Sequence, residues 1–130
     1  MSVLIHSGLW ETKWFPKKAS TAFVKGQFAE LSGGFVQPCT SGTIEICGVN
    51  QDSAYASSST TTVKIPIFVP KSKGAIVQAE QSAATTIGNE YDLSDSDTVN
   101  QGASTNDPVT CVRSLSATQG LFTINKPQLS

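Results

Sequence analysis

Residues 60–69 read Thr-Thr-Thr-Val-Lys-Ile-Pro-Ile-Phe-Val, and this stretch decides the fold class. Aliphatic side chains recur at every second position from Val63 to Val69, which is the period of a strand with one buried face. The intervening side chains, among them Pro66, would face the other way. Because proline has no N–H to donate to a ladder, we expect this strand to lie at a sheet edge or to be bulged at Pro66.

Short stretches of strand-forming residues, separated by turn residues, continue on both sides of this strand. They are residues 21–24, 27–31, 35–37, 43–49, 75–79, 91–93, 109–115 and 120–124. The pair Gly33-Gly34 supplies the positive φ angles of a tight hairpin, and Phe28 and Ala29 are expected on opposite faces. Short strands at this spacing predict an all-β protein, a small β-barrel or β-sandwich of antiparallel strands. The pattern leaves a closed barrel and an open sandwich as alternatives.

The amino-acid composition argues against several classes of function. The 130 residues include 17 Ser and 14 Thr, only 15% charged residues and a formal net charge of -1. Since nucleic-acid affinity comes mostly from cationic contacts to phosphate, we expect no nucleic-acid partner. No apolar run approaches the ~18 residues of a membrane-spanning helix, so no membrane partner is expected. With one histidine and no recognisable nucleophile motif, the sequence predicts no catalytic residues and no enzyme.

Residues 1–18 show no persistent period and are predicted to form an extended N-terminal arm, ahead of a β-domain at residues 19–130. The arm holds two tryptophans, and its aromatic rings need a surface to cover them. That surface could be the protein's own body or a neighbouring subunit. The residues proposed for contact with a partner are Leu9, Trp10, Lys13, Trp14, Phe15, Lys17 and Lys18.

Three cysteines, Cys39, Cys47 and Cys111, lie among apolar or β-branched neighbours. No export signal is evident at the N-terminus, so we expect reduced, buried thiols in a protein made in a cytoplasm. A Cys39–Cys47 disulfide is the less favoured alternative. A zinc site is not expected, because there is no Cys-x-x-Cys pair, and the sequence calls for no metal or cofactor.

The one dense acidic cluster is Asp92-Leu93-Ser94-Asp95-Ser96-Asp97. Alternating carboxylates can bind calcium, but this spacing lacks the glycine and the final glutamate of a helix–loop–helix calcium loop. A solvated loop is the favoured interpretation, and ion binding is left open.

Charge is unevenly distributed along the chain. Residues 1–73 carry a balance of +3, and residues 74–130 carry a balance of -4. Such a division suits contact with further copies or with a partner of complementary charge.

Several phrases, read in order, resemble one family. They are 23–31 (Phe-Val-Lys-Gly-Gln-Phe-Ala-Glu-Leu), 36–38 (Val-Gln-Pro), 43–49 (Thr-Ile-Glu-Ile-Cys-Gly-Val), the strand at 60–69, and 87–93 (Ile-Gly-Asn-Glu-Tyr-Asp-Leu). This succession is similar to the small β-barrel head decoration, or capsid cement, proteins of tailed bacteriophages. The similarity covers roughly residues 19–125.

The resemblance implies a non-enzymatic structural protein that binds the outer surface of a capsid between capsomers and stabilises it. Its partner would be the major capsid protein, with self-association as a dimer or trimer as a further expectation. The implied location is the exterior of the virion, after synthesis in the host cytoplasm. The family supplies no binding residues that can be carried over, so the arm contacts are an inference from the residues themselves.

Two other functions remain open from the sequence. One is a glycan- or receptor-binding β-domain of a tail fibre or surface protein, which predicts an exposed aromatic ring beside carboxylates. The other is a small hydrolase that uses Asp92, Asp95 or Asp97.

Overall fold

A computed structural model describes residues 3–50, 54–55 and 63–128. Within these residues the chain forms eleven strands and no helix, which confirms the all-β prediction. The strands are β1 Leu4–Ser7, β2 Trp10–Pro16, β3 Gln27–Ser32, β4 Phe35–Pro38, β5 Gly48–Asn50, β6 Lys64–Pro70, β7 Ile76–Gln81, β8 Glu90–Leu93, β9 Thr98–Asn100, β10 Val109–Ser114 and β11 Gln119–Ile124.

Five C-terminal strands close into a barrel in the order β7-β11-β10-β8-β9, and the parallel pairing of β9 with β7 completes the ring. β1 pairs with the first half of β7, beside the position that β9 occupies on its second half. The structure therefore contains a closed barrel, here called the C-terminal barrel, and β1 extends its sheet.

The other five strands form the N-terminal sheet, in the order β2-β6-β5-β3-β4. A bridge between Lys17, just beyond β2, and Val36 of β4 brings the two ends of this sheet together. The sheet thus curls around a core of its own, which includes Ala29, Ile65 and Val69.

A second core, here called the shared core, combines buried residues of the C-terminal barrel with buried residues of the N-terminal sheet. Phe28 and Val49 on the outer side of the sheet join Val77, Val109 and Phe122 of the barrel. The expected alternation in β3 is confirmed, because Phe28 enters this shared core while Ala29 enters the core of the sheet.

The segment predicted to be an extended N-terminal arm, residues 1–18, is instead built into both parts of the protein. Residues 4–7 are strand β1 of the barrel sheet, and residues 10–16 are β2, paired with β6 along their whole length. The sequence does not reveal this strand, because each of the two faces of β2 carries both polar and aromatic side chains. Pairing with the strongly periodic β6, rather than hydrophobic alternation of its own, holds this segment as a strand.

Pro66 does not mark an edge or a bulge, and that prediction is wrong, because β6 lies between β2 and β5 in regular register. The Lys17 N–H donates to the Val63 carbonyl at 2.8 Å. Since hydrogen-bonded pairs alternate along an antiparallel ladder, Pro66 directs its nitrogen away from β2. Its described pairing with β5 begins only at Phe68, so the missing N–H interrupts neither neighbour.

Two further predicted strands are shorter in the structure. The stretch 43–49 is a strand only from Gly48, and Ile44 is exposed rather than sharing a face with buried Ile46. The stretch 21–24 contributes only an isolated bridge between Phe23 and Tyr55. Of the predicted strand at 60–69, residues 60–62 lie outside the described residues.

The segment after β11 ties the barrel to the N-terminal sheet. The Gln128 side chain accepts a hydrogen bond from the Leu31 N–H at 2.6 Å and donates to the Leu31 carbonyl at 3.1 Å. The Ile46 N–H donates to the Lys126 carbonyl, and the Gln128 N–H donates to the Ile46 carbonyl, both at 3.1 Å. These backbone links fix the two parts relative to one another.

Replacing Gly48 with alanine tests the packing between β5 and β6. A Cβ at Gly48 would lie 2.2 Å from the Phe68 carbonyl oxygen, so the two strands would have to separate. We expect Gly48→Ala to lower the free energy of unfolding by about 2–3 kcal/mol in urea denaturation. The control is Gly42→Ala, whose Cβ would meet only Thr40 Oγ1 at 3.8 Å, with an expected change within about 0.5 kcal/mol. Equal stability of the two variants would contradict this packing.

Candidate interaction surface

The outer side of the β2–β6 ladder presents aromatic and proline side chains. Its members, here called the docking face, are Trp10, Thr12, Trp14 and Pro16 of β2 with Lys64, Pro66, Phe68 and Pro70 of β6, paired in the observed register. The alternate residues of β6 enter the core of the N-terminal sheet. The period of two that buries the aliphatic side chains therefore places the rings and prolines on the opposite side.

Trp14 is the most prominent member of the docking face. Its side chain is 62% exposed, and its directly opposite neighbour on β6 is Pro66. Phe68 and Pro66 are partly buried beside it. A large ring held on a paired strand and left in water is the kind of anchor found at protein–protein interfaces.

Two other aromatic residues of the predicted contact set are used inside the protein. Trp10 packs against the shared core, and its indole N–H donates to the Ser7 carbonyl at 2.9 Å. Phe15 packs against the core of the N-terminal sheet. The protein's own body thus partly covers these two rings, which was one of the two alternatives, while Trp14 is largely exposed.

Lys17 is only 1% exposed, although it was proposed as a contact residue. Its ammonium group donates to the carbonyls of Lys18, at 3.2 Å, and Thr21, at 2.5 Å. These backbone acceptors replace the water that the ammonium loses on burial. Lys17 therefore holds the turn after β2, where the N-terminal sheet closes, and is not available to a partner.

The remaining three proposed contacts differ in accessibility. Leu9 is 67% exposed between β1 and β2, and its backbone N–H donates to Ser72 Oγ at 3.2 Å. Lys18 is partly buried, and its N–H donates to the Val36 carbonyl. Lys13 is partly buried on the side of β2 that faces the sheet core, where its charge acts on Cys47. Of the seven residues, Trp14 and Leu9 are the large apolar side chains open to solvent.

Asp92 of the acidic cluster has a structural role in the barrel. It is buried, and its Oδ1 accepts hydrogen bonds from the N–H groups of Thr105, Asn106 and Asp107 at 3.0, 2.7 and 2.8 Å. Burial alone raises the pKa of Asp92, but these three donors outweigh it, and the pKa lies below its usual value of 3.8. The carboxylate fixes the loop before β10.

Asp95 and Asp97 form the bend between β8 and β9. Asp95 Oδ1 accepts from the N–H groups of Asp97 and Thr98, both at 3.0 Å. The Ser96 carbonyl accepts from the Phe28 N–H at 2.7 Å, so the bend is fastened to the N-terminal sheet. Across the described residues, no group of three or more His, Cys, Asp or Glu side chains has the placement to hold a metal ion.

The three cysteines are free and buried. Burial raises the pKa of Cys47 to about 12 despite the opposing charge of Lys13. Burial, reinforced by the nearby Glu30 carboxylate, also raises the pKa of Cys39 well above its usual value. The raised pKa values hold the thiols of Cys39 and Cys47 in their unreactive protonated form.

Comparison with known proteins does not assign the chain to a family. No protein-family model matches the chain. A search of curated proteins also gives no significant match.

In the part of the chain that the structure describes, no helix is long and apolar enough to cross a membrane.

Acid titration tests the role of Asp92. Because its pKa is lower in the folded than in the unfolded state, its stabilisation is complete well above pH 3.8 and is lost as the pH falls through the folded value. Asp92→Asn should lower the free energy of unfolding by about 1–2 kcal/mol at neutral pH. It should also flatten the acid limb of a denaturation series. Glu45→Gln, at an exposed position, should leave both quantities unchanged. An acid limb identical to that of the wild type would refute this role.

Thiol accessibility tests the burial of the cysteines. In mildly alkaline buffer the native protein should react with Ellman's reagent at least about a hundredfold more slowly than the guanidinium-unfolded protein, which should release three thiols per chain. Rapid labelling of one native cysteine, or a Cys39–Cys47 disulfide in mass spectrometry, would contradict this account.

Proposed function

We propose that this chain is a structural, non-enzymatic protein that binds a repeating protein surface through its docking face. In its specific form, the proposal is a head decoration protein of a tailed bacteriophage. It would bind the major capsid protein on the outside of the capsid, between capsomers, and stabilise the shell. The succession of sequence phrases supports the specific form, and the exposed Trp14 supports the docking mode.

The observation that carries the proposal is an exposed indole on a rigid support. Trp14 lies within β2, which pairs with β6 over seven consecutive positions, so its backbone is already ordered before any partner binds. Covering an exposed tryptophan removes a large apolar surface from water. Because the strand is preformed, little conformational entropy is lost on binding, and more of that gain is available as affinity.

The small size of the docking face favours a partner that presents the same binding surface many times, such as a lattice of identical subunits. The face comprises eight residues on two strands, which is less than the 20–30 residues per side of a standard stable interface. A single contact of this kind is weak. Contacts with several neighbouring subunits of a lattice, or self-association into a dimer or trimer, would multiply it through effective concentration.

A glycan-binding domain has less support from the docking face. That function predicts an aromatic ring beside carboxylates. The neighbours of Trp14 along and across the strands are Thr12, Pro16 and Pro66, and the one charged member of the face is Lys64. Glu11 belongs to the alternate set of β2 residues and pairs with Lys71 at 3.3 Å.

Replacement of Trp14 tests the proposal. Trp14→Ala should weaken binding to purified capsids of the encoding phage by about thirtyfold or more in a sedimentation assay, since a central tryptophan contributes about 2 kcal/mol or more. The free energy of unfolding should change by less than about 1 kcal/mol, because the side chain is largely exposed.

The matched control is Ile87→Ala, which removes a side chain that is 68% exposed on the C-terminal barrel. This control should bind capsids as the wild type does. Equal binding by Trp14→Ala and the wild type would refute the docking face. Trp14-dependent binding on a glycan array, with no sedimentation on capsids, would favour the glycan-binding function instead.

A further inference from the structure

A cleft of about 540 Å³ opens where the N-terminal sheet meets the C-terminal barrel. One wall is the β6–β7 connection, including Lys71 and Lys73. The other wall is the end of β11 and the segment after it, including Ile124 and Pro127. The backbone fixes both walls, because the Lys71 N–H donates to the Leu9 carbonyl at 2.9 Å and the Ile46 N–H donates to the Lys126 carbonyl. The cleft is therefore a preformed feature.

The charge of the cleft is positive. Lys71 and Lys73 line it, and none of the described residues that line it is acidic. Lys71 is paired with Glu11 at 3.3 Å. Among the described residues, no carboxylate lies within ion-pair distance of Lys73. The ammonium group of Lys73 is thus available to a ligand, and a ligand would share the ammonium group of Lys71 with Glu11.

The floor of the cleft is apolar. Pro70, Ala75, Ile124 and Pro127 contribute its aliphatic surface. A space of this size exceeds what a single small anion needs and is within the range of clefts that bury a drug-sized ligand, which a few side chains of a peptide would match. A ligand that matches both the lysines and the apolar floor would carry carboxylates to pair with the lysines and aliphatic side chains to pack on the floor.

The cleft is continuous with the docking face. Pro70 is the last residue of β6 on that face, opposite Trp10, and it also lines the cleft. A protein segment that covers Trp14 and follows β6 would therefore arrive between Lys71 and Lys73.

We propose that this cleft binds an acidic peptide segment of the protein partner, with carboxylates beside Lys71 and Lys73 and an aliphatic side chain against Ile124 and Pro127. This rests on the proposed function, since it assumes that the ligand belongs to a protein. The docking face would supply apolar contact area, and the cleft would supply orientation, because complementary charge determines the direction in which a segment lies.

The test is a titration of the isotopically labelled full chain, followed by amide chemical shifts. The probe is an end-blocked hexapeptide of alternating glutamate and leucine, at low ionic strength. We expect saturable shifts confined to the amides of residues 71–75 and 123–126 and to the adjoining end of β2. The same peptide with glutamine in place of glutamate should bind about tenfold more weakly or more. Inorganic phosphate should produce no saturable shifts.

Lysine variants distinguish binding of the peptide in the cleft from nonspecific attraction to surface charge. The double variant Lys71→Gln/Lys73→Gln should bind the acidic peptide about tenfold more weakly than the wild type. The control Lys25→Gln, at an exposed lysine elsewhere, should change the affinity for the peptide by less than about twofold. Thermal unfolding of each variant shows that it is folded.

Three results would overturn the proposal. They are shifts spread over all lysines, equal binding by the double variant, and saturation of the same residues by phosphate alone. Because the titration needs no capsid, a negative result would refute peptide binding in the cleft and would not bear on capsid binding. If Trp14→Ala sedimented with capsids as the wild type does, the docking face would be refuted, and the result of the peptide titration would be unaffected.

Discussion

The pairing of Trp10–Pro16 with Lys64–Pro70 is the constraint on which the rest of the structure depends. It attaches the N-terminal segment to the strongly periodic strand β6 and leads to Lys17, where the sheet closes on β4. It also carries the chain from β1, in the barrel sheet, into the N-terminal sheet within two residues. Without this ladder the N-terminal segment would lose its hydrogen bonds to β6, and Trp14 would have no fixed position.

The same ladder explains how one short segment can serve both folding and binding. Because side chains alternate across a strand, Phe15 and Ile65 contribute to the core of the sheet while Trp14 and Pro66 face outward. Contacts that stabilise the fold therefore hold the proposed anchor at the same time. The charge division along the chain matches this architecture, since the N-terminal sheet and the β6–β7 connection carry most lysines and the barrel carries most carboxylates.

The sequence predicts the strands with a clear period of two and misses the segments held by their partners. β6, β3 and the hairpin at Gly33-Gly34, with φ angles of 62° and 85°, follow directly from local residues. β2 does not, because its outer and inner faces are both mixed and its order comes from β6. Trp14 could be singled out as a contact residue, but the burial of Lys17 depends on carbonyls placed by the tertiary turn. The cleft joins residues about fifty positions apart, so no local pattern indicates it.

Hydrogen exchange in the free protein tests the central claim, that the anchor lies on a rigid strand and not on a flexible arm. The amides of Glu11, Lys13 and Phe15 alternate in register with the Lys17 N–H that donates to β6, so they are directed at the same strand. We expect these amides to exchange about a thousandfold or more slowly than in an unstructured peptide, at rates like those of β6. Exchange of these three amides at unstructured rates, while β6 remains protected, would show that residues 10–16 are an arm and would contradict the account.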